Sequence, residues 1–218
     1  MPFEKERRLL VRRLLRHGYI KSEGVQRAME VVPRHLFVPE SVRPRAYVDS
    51  PMPIGVGQTI SAPHMVAIMV EASELKPGMG VLEIGGGSGY HAAVMAELVR
   101  PGGSILTIER LPLLAERARS NLEAAGYSQT VEVMVADGSL GYPKNAPYDR
   151  IVVTCAAPYV PGPLKEQLVD GGKLLAPVGS MGYQELLRVT REGDDFEVEN
   201  LGGCVFVPLL GEHGFRME

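Results

Sequence analysis

From residue 65 onward, the chain alternates between short apolar runs and longer amphipathic stretches. Runs rich in Val, Ile and Leu predict β-strands at 81–84, 104–108, 131–135, 151–154 and 173–177. Helical spacing of apolar positions predicts helices at 65–72, 90–99, 113–125 and 163–169. Repeated strand–helix–strand units of this length predict an α/β fold with a mostly parallel, doubly wound sheet covered on both faces.

The two ends of the chain have different patterns. Residues 1–30 are typical of helical structure with one apolar face. That face would turn four residues inward: Leu10, Val11, Leu14 and Leu15. Residues 33–63 are rich in Pro and Gly and show little periodicity, which indicates a functional loop region. The C-terminal residues predict antiparallel strands at 185–190, 196–199 and 205–209.

Composition and charge exclude several classes of protein. The chain has 218 residues, and its longest apolar run, 65–70, is far shorter than the ~20 residues that a membrane-spanning helix needs. The N-terminus is charged and has no apolar signal core, so we expect a cytoplasmic protein that does not contact membranes. The net charge of −3 provides no global basic field, so we expect no nucleic-acid binding. Residues 1–21 hold seven Lys or Arg against two Glu, which indicates a solvated helix face or an acidic partner.

Cysteine and histidine usage argues against disulfides and metals. Cys155 and Cys204 lie far apart in apolar surroundings, so we expect buried free thiols. The five histidines have no spacing typical of metal ligands, so no bound metal is expected.

The most informative local motif is a glycine-rich turn. The strand at 81–84 leads directly into Gly85-Gly86-Gly87-Ser88-Gly89-Tyr90, and a helix follows. Glycine lets the backbone approach a ligand closely, and the start of the helix presents free N–H groups. Dinucleotide-binding folds have a different glycine spacing, and here a tyrosine follows the last glycine. This argues against a pyrophosphate and favours S-adenosylmethionine. A turn that binds no ligand is the alternative.

Acidic residues follow the next two predicted strands. Glu109 ends the second strand, where a carboxylate can accept hydrogen bonds from both ribose hydroxyls of a nucleoside. Asp137 and Gly138 end the third strand, where an acid can reach the adenine amino group. Together with the glycine turn, these strand ends point to one crevice. The alternatives are a solvated Glu at a helix start and an Asp in a plain turn.

A second group of candidate residues lies at 55–64. Pro63 suits the first turn of a helix, so Ser61 would lie just outside a helix N-terminus, where unpaired N–H groups attract an anion. A small carboxylate pocket is one interpretation, and a serine that only caps the helix is the other. His64 is a candidate base, although a lone histidine also serves as a packing or hydrogen-bonding residue.

Several longer strings resemble one known family. They are VPRHLFVP (32–39), AYVDSPMPIGVGQTISAPHMVAIM (46–69), VLEIGGGSGYHAAVMAEL (81–98), PYDRIVVTCAAP (147–158) and VFVPLLG (205–211). The chain thereby resembles the protein-L-isoaspartate O-methyltransferases over nearly its whole length. The resemblance implies a Rossmann-like class I methyltransferase that uses S-adenosylmethionine. Its activity would be to methylate the free carboxylate of L-isoaspartyl residues in damaged proteins, and a monomer is expected.

The resemblance also assigns roles to individual residues. Ser61 matches the family's active-site serine. The matching cofactor positions are Gly85, Gly87, Glu109, Asp137 and Gly138, and the same turn adds Ser88 and Gly89. The loop that embraces the substrate peptide would consist of Thr59, Ile60, Ala62, Pro63 and His64. Two positions depart from the family pattern: Gly86, where Thr is common, and Cys155, where Ala or Gly is common.

We therefore expect one methyltransferase domain over 1–218. It would comprise an N-terminal helix and substrate-loop region (1–63), a cofactor-binding α/β core (64–180) and C-terminal strands (181–218). Another S-adenosylmethionine-dependent O-methyltransferase, acting on a small carboxylate, is the main alternative. A binding module without the 58–64 loop and a nicotinamide dehydrogenase fit the sequence less well.

Overall fold

The computed structural model describes residues 2–216 of the chain. Its N-terminal part contains α1 (Pro2–Arg16), α2 (Glu23–Val31), 3₁₀ turns at Arg34–Leu36 and Glu40–Arg45, a hairpin of β1 (Met52–Gly55) and β2 (Gln58–Ile60), and α3 (Pro63–Ser73). The remainder contains β3 (Gly80–Ile84), α4 (Tyr90–Val99), β4 (Ser104–Glu109), α5 (Pro112–Ala124), β5 (Val131–Val135), β6 (Tyr148–Val153), α6 (Gly162–Glu166), β7 (Leu168–Ser180), β8 (Tyr183–Glu192) and β9 (Asp195–Cys204). Further 3₁₀ turns lie at Gly138–Leu140 and Pro143–Asn145.

The longer strands form a seven-stranded sheet in the order β5-β4-β3-β6-β7-β8-β9. Strands β3 to β7 pair in parallel, and β8 and β9 are added as antiparallel strands. The predicted α/β class and the antiparallel C-terminal strands are therefore confirmed. The chain moves outward from β3 to β5 and then returns to β6 on the other side of β3. Such a reversal opens a crevice at the carboxyl ends of the central strands.

Apolar side chains pack on both faces of the sheet. Helices α3, α4 and α5 cover one face, while α2 packs on α4, and α1 packs on α2. The inward face predicted for α1 is confirmed, since Leu10, Val11 and Leu14 are buried and Leu15 is partly buried. Helix α6 and the C-terminal segment around Leu209 cover the other face. No helix within residues 2–216 is long and apolar enough to cross a membrane.

Some predicted boundaries differ from the structure. Residues 1–30, apart from Met1, which lies outside the described residues, form two helices, because the chain turns at Gly18 with a φ of 73°. The helix predicted at 163–169 ends at Glu166, since Leu168 already pairs with β6. The strand predicted at 205–209 is absent from the described chain. Pro208 has no N–H, and this segment forms only an isolated bridge with Ala156.

The hairpin of β1 and β2 lies in the region that the sequence pattern left as loop. Its turn residues, Val56 and Gly57, both have positive φ, of 51° and 70°. Positive φ at both central positions is typical of a type I′ turn, which joins antiparallel strands tightly. The hairpin holds the 58–61 segment against the edge of the central crevice.

Candidate active site

A cleft of about 880 Å³, open solvent included, lies at the carboxyl ends of β3, β4 and β6. This volume falls in the range of roughly 300–1,000 Å³ that is usual for small-molecule sites. Eight of the sequence-predicted residues line it: Thr59, Ile60, Ser61, Gly85, Gly87, Ser88, Glu109 and Gly138. Five others lie outside its lining: Ala62, Pro63, His64, Gly89 and Asp137.

The glycine turn after β3 uses its own amides to hold its shape. The N–H groups of Gly85 and Gly86 both donate to the carbonyl oxygen of Ile108, at 2.8 and 3.1 Å. The N–H of Gly87 donates to Oε2 of Glu109 at 2.9 Å. These amides are therefore already paired and do not form a phosphate cradle. This agrees with the expectation of a cofactor without a pyrophosphate.

Glycine is required at two points where the backbone passes close to a neighbour. A Cβ atom at Gly86 would lie 2.5 Å from Oγ1 of Thr107, so this side chain occupies the space that a threonine at position 86 would need. A Cβ atom at Gly138 would collide with the side chain of Ile84. Glycine thus lets the backbone at both of these cleft-lining positions pack closely against side chains of β4 and β3.

Glu109 faces the cleft and is 7% exposed. Its Oε1 accepts the N–H of Leu111 at 2.9 Å, and its Oε2 accepts the N–H of Gly87 at the same distance. Each carboxylate oxygen retains a second lone pair. The carboxylate is thus fixed in orientation and can still accept hydrogen bonds from two hydroxyl groups.

Asp137 is held away from the cleft by the C-terminal segment. Its Oδ1 accepts the N–H and the hydroxyl of Ser139 at 2.9 and 2.7 Å, and its Oδ2 accepts the N–H of Glu212 at 2.8 Å. Partial burial opposes ionisation, but these hydrogen bonds prevail and lower the pKa of Asp137. The adjacent Gly138 is the residue of this pair that lines the cleft.

Gly89 lies behind the turn rather than in the cleft. It caps α4 with a φ of 85°, and a Cβ atom there would lie 3.1 Å from the side chain of Leu122 on α5. Its small size lets α4 and α5 pack closely, so its local role is structural.

Ser61 lines the same cleft as the glycine turn and lies in the loop between β2 and α3. The cap residue of α3 is Ala62, and no side chain caps this helix. The hydroxyl of Ser61 is therefore not used as a helix cap, which was the alternative interpretation of this residue. The backbone of Ser61 is held by Nη2 of Arg34, which donates to its carbonyl oxygen at 2.8 Å.

The residues that follow Ser61 form the back of this loop. His64 donates its backbone N–H to Oδ1 of Asp49 at 2.9 Å, and its Nδ1 lies 2.9 Å from the same oxygen. Its ring also packs against Tyr19, with 5.3 Å between ring centroids. An open anion site was expected at the start of α3. The carboxylate of Asp49 already accepts the N–H of His64 there, so this N–H is not free for a ligand. Pro63 occupies the first turn of α3, as predicted.

Several cleft residues were not identified from the sequence pattern. Thr154, after β6, donates from Oγ1 to the carbonyl oxygen of Gly85 at 2.6 Å and so fastens the glycine turn. Cys155 lies beside it, and burial raises the pKa of its thiol. Both cysteines are buried and free, as predicted. The C-terminal segment adds four lining residues: Val207, Pro208, Leu209 and Leu210. The quoted strings 147–158 and 205–211 contain these residues and were the available signal.

Within residues 2–216, no group of three or more His, Cys, Asp or Glu side chains is arranged to hold a metal ion. The cleft combines backbone-lined walls, the oriented carboxylate of Glu109 and several hydroxyl groups, among them that of Ser61. This donor set suits a nucleoside with a polar tail.

Comparisons with known proteins agree with this geometry. The profile of the family "Protein-L-isoaspartate(D-aspartate) O-methyltransferase (PCMT)" matches residues 5–214. The protein-L-isoaspartate O-methyltransferase of Hyperthermus butylicus is 59% identical, covering 98% of this chain and 92% of that protein. The Methanopyrus kandleri enzyme of the same name is 58% identical, covering 98% of this chain and 95% of that protein.

A solved structure has the same fold. It is a putative protein-L-isoaspartate O-methyltransferase from Plasmodium falciparum in complex with S-adenosyl-L-homocysteine, with a TM-score of 0.84 and 26% identity. The match covers 94% of this chain and 98% of that chain. The profile match and the relatives of more than half identity extend over nearly the whole sequence. The chain therefore belongs to the protein-L-isoaspartate(D-aspartate) O-methyltransferase family.

Proposed function

We propose that the protein transfers the methyl group of S-adenosylmethionine to the α-carboxylate of L-isoaspartyl residues in damaged proteins. The observation that carries this proposal is that the 58–61 loop and the glycine turn both line one cleft. A residue for the substrate and residues for the cofactor thus face the same space. Family membership favours this activity over methylation of a small carboxylate.

In this proposal, the cofactor lies against the carboxyl ends of β3 and β4. Glu109 would accept hydrogen bonds from the ribose hydroxyls, because its two oxygens are oriented by backbone amides and still have free lone pairs. The glycine turn, through Gly85, Gly87 and Ser88, would contact the cofactor with its backbone. Asp137 would affect cofactor binding indirectly, by holding Gly138 and the C-terminal segment in place. Gly89 would affect it indirectly as well, by allowing α4 to pack closely against α5.

The reaction requires little acid–base catalysis by the protein. S-adenosylmethionine supplies an electrophilic sulfonium methyl group when bound. A carboxyl group with an ordinary pKa of about 4 is already ionised at neutral pH, so no general base is needed. The task of the chain is to orient one carboxylate oxygen and exclude water. We assign the orienting contact to the hydroxyl of Ser61. Thr59 and Ile60 would hold the peptide, while Ala62, Pro63 and His64 would support the loop from behind.

The repair outcome follows from the chemistry of the product. The methyl ester of an isoaspartyl residue has a better leaving group than the free acid, and the neighbouring backbone nitrogen can attack it. Ring closure gives a succinimide and releases methanol. Hydrolysis of the succinimide then returns part of the material as normal aspartate. No residue of the cleft is required for these later steps.

Labelled-methyl transfer to paired peptides tests the proposal. The two peptides differ only in carrying isoaspartate or aspartate at one position. We expect label in the isoaspartyl peptide alone, because an extra methylene in aspartate displaces the carboxylate, and about an ångström of displacement can cost on the order of a hundredfold in rate. The label should leave as methanol in mild base, as a carboxyl ester requires. Equal labelling of both peptides, or a base-stable label, would contradict the proposal.

We further propose that the protein acts as a single-domain monomer in the cytoplasm, with no affinity for nucleic acid or membranes. Two free buried cysteines suit a reducing compartment, and a net charge of −3 gives no global attraction to polyanions. Light scattering after size exclusion should give the mass of one chain. A dimer mass would overturn the monomer assignment.

A further inference from the structure

One buried histidine in the cleft has a vacant hydrogen-bonding position. His91 lies in the first turn of α4, directly after the glycine turn, and its side chain is 10% exposed. It lines the cleft together with Ser61 and Gly87. Its Nε2 is buried and has no hydrogen-bond partner within residues 2–216. A buried polar atom left unpaired costs roughly 1–3 kcal/mol, so such an atom beside a ligand cleft points to a ligand group.

The other ring nitrogen of His91, Nδ1, has a hydrogen-bond partner within the protein. Nδ1 of His91 lies 2.9 Å from Oε1 of Glu83, a fully buried carboxylate on β3. Thr107, beside Glu83 on β4, donates its hydroxyl to Oε2 of the same carboxylate. This chain of hydrogen bonds fixes the ring, because both oxygens of Glu83 accept and Nδ1 must then be the donor.

Charge balance gives the ring its character. Within the described part of the chain, His91 is the only basic side chain within 4.0 Å of Glu83. A buried carboxylate is strongly destabilising unless a positive charge balances it. A proton on both ring nitrogens of His91 would supply that charge, and Nε2 would then donate a charged hydrogen bond to a ligand. The natural acceptor for such a donor is a carboxylate.

We propose that Nε2 of His91 donates a hydrogen bond to a ligand carboxylate in the cleft, and that Glu83 and Thr107 are positioning residues for it. The inference rests on the proposed function, in which two carboxylates enter this space. One belongs to the amino-acid end of the cofactor, and the other is the isoaspartyl group. Both present the same chemistry to Nε2.

Two substitutions of His91 separate the roles of its nitrogens. His91→Asn keeps an amide near the position of Nδ1, where it can still pair with Glu83, but removes the donor at Nε2. His91→Gln can return an amide N–H near the position of Nε2. Loss of one charged hydrogen bond should weaken ligand binding on the order of ten- to a hundredfold in His91→Asn. His91→Gln should recover part of that loss. Thermal unfolding establishes that both variants are folded at the assay temperature.

Calorimetry provides the first arm, with S-adenosylhomocysteine and its decarboxylated analogue, which lacks only the carboxylate. If the cofactor carboxylate is the partner, His91→Asn weakens binding of S-adenosylhomocysteine and leaves binding of the analogue unchanged. The second arm measures KM for an isoaspartyl peptide at saturating S-adenosylmethionine. If the substrate carboxylate is the partner, this KM rises while binding of S-adenosylhomocysteine is unchanged.

The positioning role has its own matched pair. Thr107→Val removes the hydroxyl that orients Glu83, whereas Thr107→Ser retains it. The valine variant should reproduce the His91→Asn pattern more weakly, and the serine variant should behave as the wild type. The inference is overturned if neither arm responds to His91→Asn, or if both cofactor analogues lose affinity equally. Because calorimetry needs no peptide, a protein that binds S-adenosylhomocysteine but leaves isoaspartyl peptides unmethylated would refute the proposed function and not the cofactor arm.

Discussion

Arg34 donates from Nη2 to the carbonyl oxygen of Ser61 at 2.8 Å and from Nε to that of Ala46 at 2.9 Å. The arginine is fully buried, and its guanidinium lies over the ring of Tyr90, 4.9 Å from the ring centroid. One rigid side chain thus ties the loop of the proposed active-site serine to the segment before β1. The planar fork of arginine suits this task, because it can donate to two carbonyl groups at once.

Substitution of Arg34 by Lys should weaken the link between the Ser61 loop and the segment before β1. Lysine keeps the charge but cannot bridge both carbonyl groups in the same plane, and each buried carbonyl left unpaired costs about 1–3 kcal/mol of stability. We expect kcat for isoaspartyl peptide to fall while the affinity for S-adenosylhomocysteine changes little. Steady-state kinetics and calorimetry, both well below the unfolding temperature, measure the two effects.

Arg100→Lys is the matched control for Arg34→Lys. Arg100 also lies over a tyrosine ring, that of Tyr127 at 4.9 Å, and donates to Thr130 and to the carbonyl oxygen of Gly126, away from the cleft. The Arg100→Lys variant should be less stable than the wild type and should have an unchanged kcat. Equal kcat in both variants would mean that Arg34 only stabilises the fold.

Ser61→Ala should lower activity without abolishing it. The structure leaves the hydroxyl unused by α3, so it is available to orient the substrate carboxylate. Loss of one contact of this kind costs on the order of ten- to a thousandfold in kcat. Ser73→Ala is the control, since Ser73 lies at the far end of the same helix and donates to the carbonyl oxygen of Met69. Wild-type turnover in Ser61→Ala would remove Ser61 from the reaction.

Glu109→Ala should weaken cofactor binding and also lower the unfolding temperature, because the N–H groups of Gly87 and Leu111 lose their acceptor. The side chain would lose its acceptors for the ribose hydroxyls, and a charged hydrogen bond contributes about 1.5–3 kcal/mol. Calorimetry with S-adenosylhomocysteine measures the loss. Glu116→Ala, at an exposed position of α5, serves as the control and should bind as the wild type does. Unchanged affinity in Glu109→Ala would place the ribose elsewhere.

The sequence was sufficient to bring the cofactor side of the site together, because the ends of the strands follow from local patterns. A run of β-branched residues ending at Glu109 predicts both a strand and the edge at which its carboxylate lies. The glycine turn is likewise a local signal. The glycine turn, Glu109 and Gly138 could therefore be assigned to one crevice before any distance was known, whereas the active-site role of Ser61 came from the family resemblance.

What the sequence could not predict depends on contacts between distant segments. The direction of the Asp137 carboxylate is decided by the N–H of Glu212, 75 residues away. His64 could be predicted near the substrate loop, but its partner Asp49 lies in a segment without periodicity. The pairing of Arg34 with Ser61 is also non-local. Side-chain partners of this kind are set by the tertiary fold, which no window of sequence contains.

Val56→Asn should stabilise the protein. Valine is β-branched and is held at a φ of 51°, a left-handed conformation that asparagine tolerates better. The residue is 52% exposed, so little apolar burial is lost. Removing strain of this kind should raise stability by roughly 0.5–2 kcal/mol, seen as a higher unfolding temperature. Val205→Asn is a control at a similarly exposed valine outside the hairpin, 71% exposed, and should not gain stability.

Asp137→Asn should loosen the C-terminal segment, with an effect that depends on pH. Hydrogen bonds from Ser139 and Glu212 lower the pKa of Asp137, so its ionised form stabilises the folded protein. A folded-state pKa below the unfolded value means that this stability is present above the ordinary pKa of about 4 and is lost as the pH falls through the lowered value. At neutral pH, Asp137→Asn should cost roughly 1–3 kcal/mol, since a charged acceptor becomes a neutral one. Denaturant unfolding at a series of pH values should show this difference shrinking below about pH 4.

The same variant decides between two roles for Asp137. If its carboxylate contacts the adenine amino group, the wild type should prefer S-adenosylhomocysteine over the inosine analogue, and Asp137→Asn should lose part of that preference. If it instead anchors the segment that places Val207 and Leu210 in the cleft wall, both analogues should weaken together, because the wall they share becomes mobile. Ser139→Ala, which removes one donor to Oδ1 but leaves the carboxylate, should then reproduce the loss in milder form. If the preference for adenine disappears in Asp137→Asn but not in Ser139→Ala, and stability is unchanged, Asp137 contacts the cofactor directly.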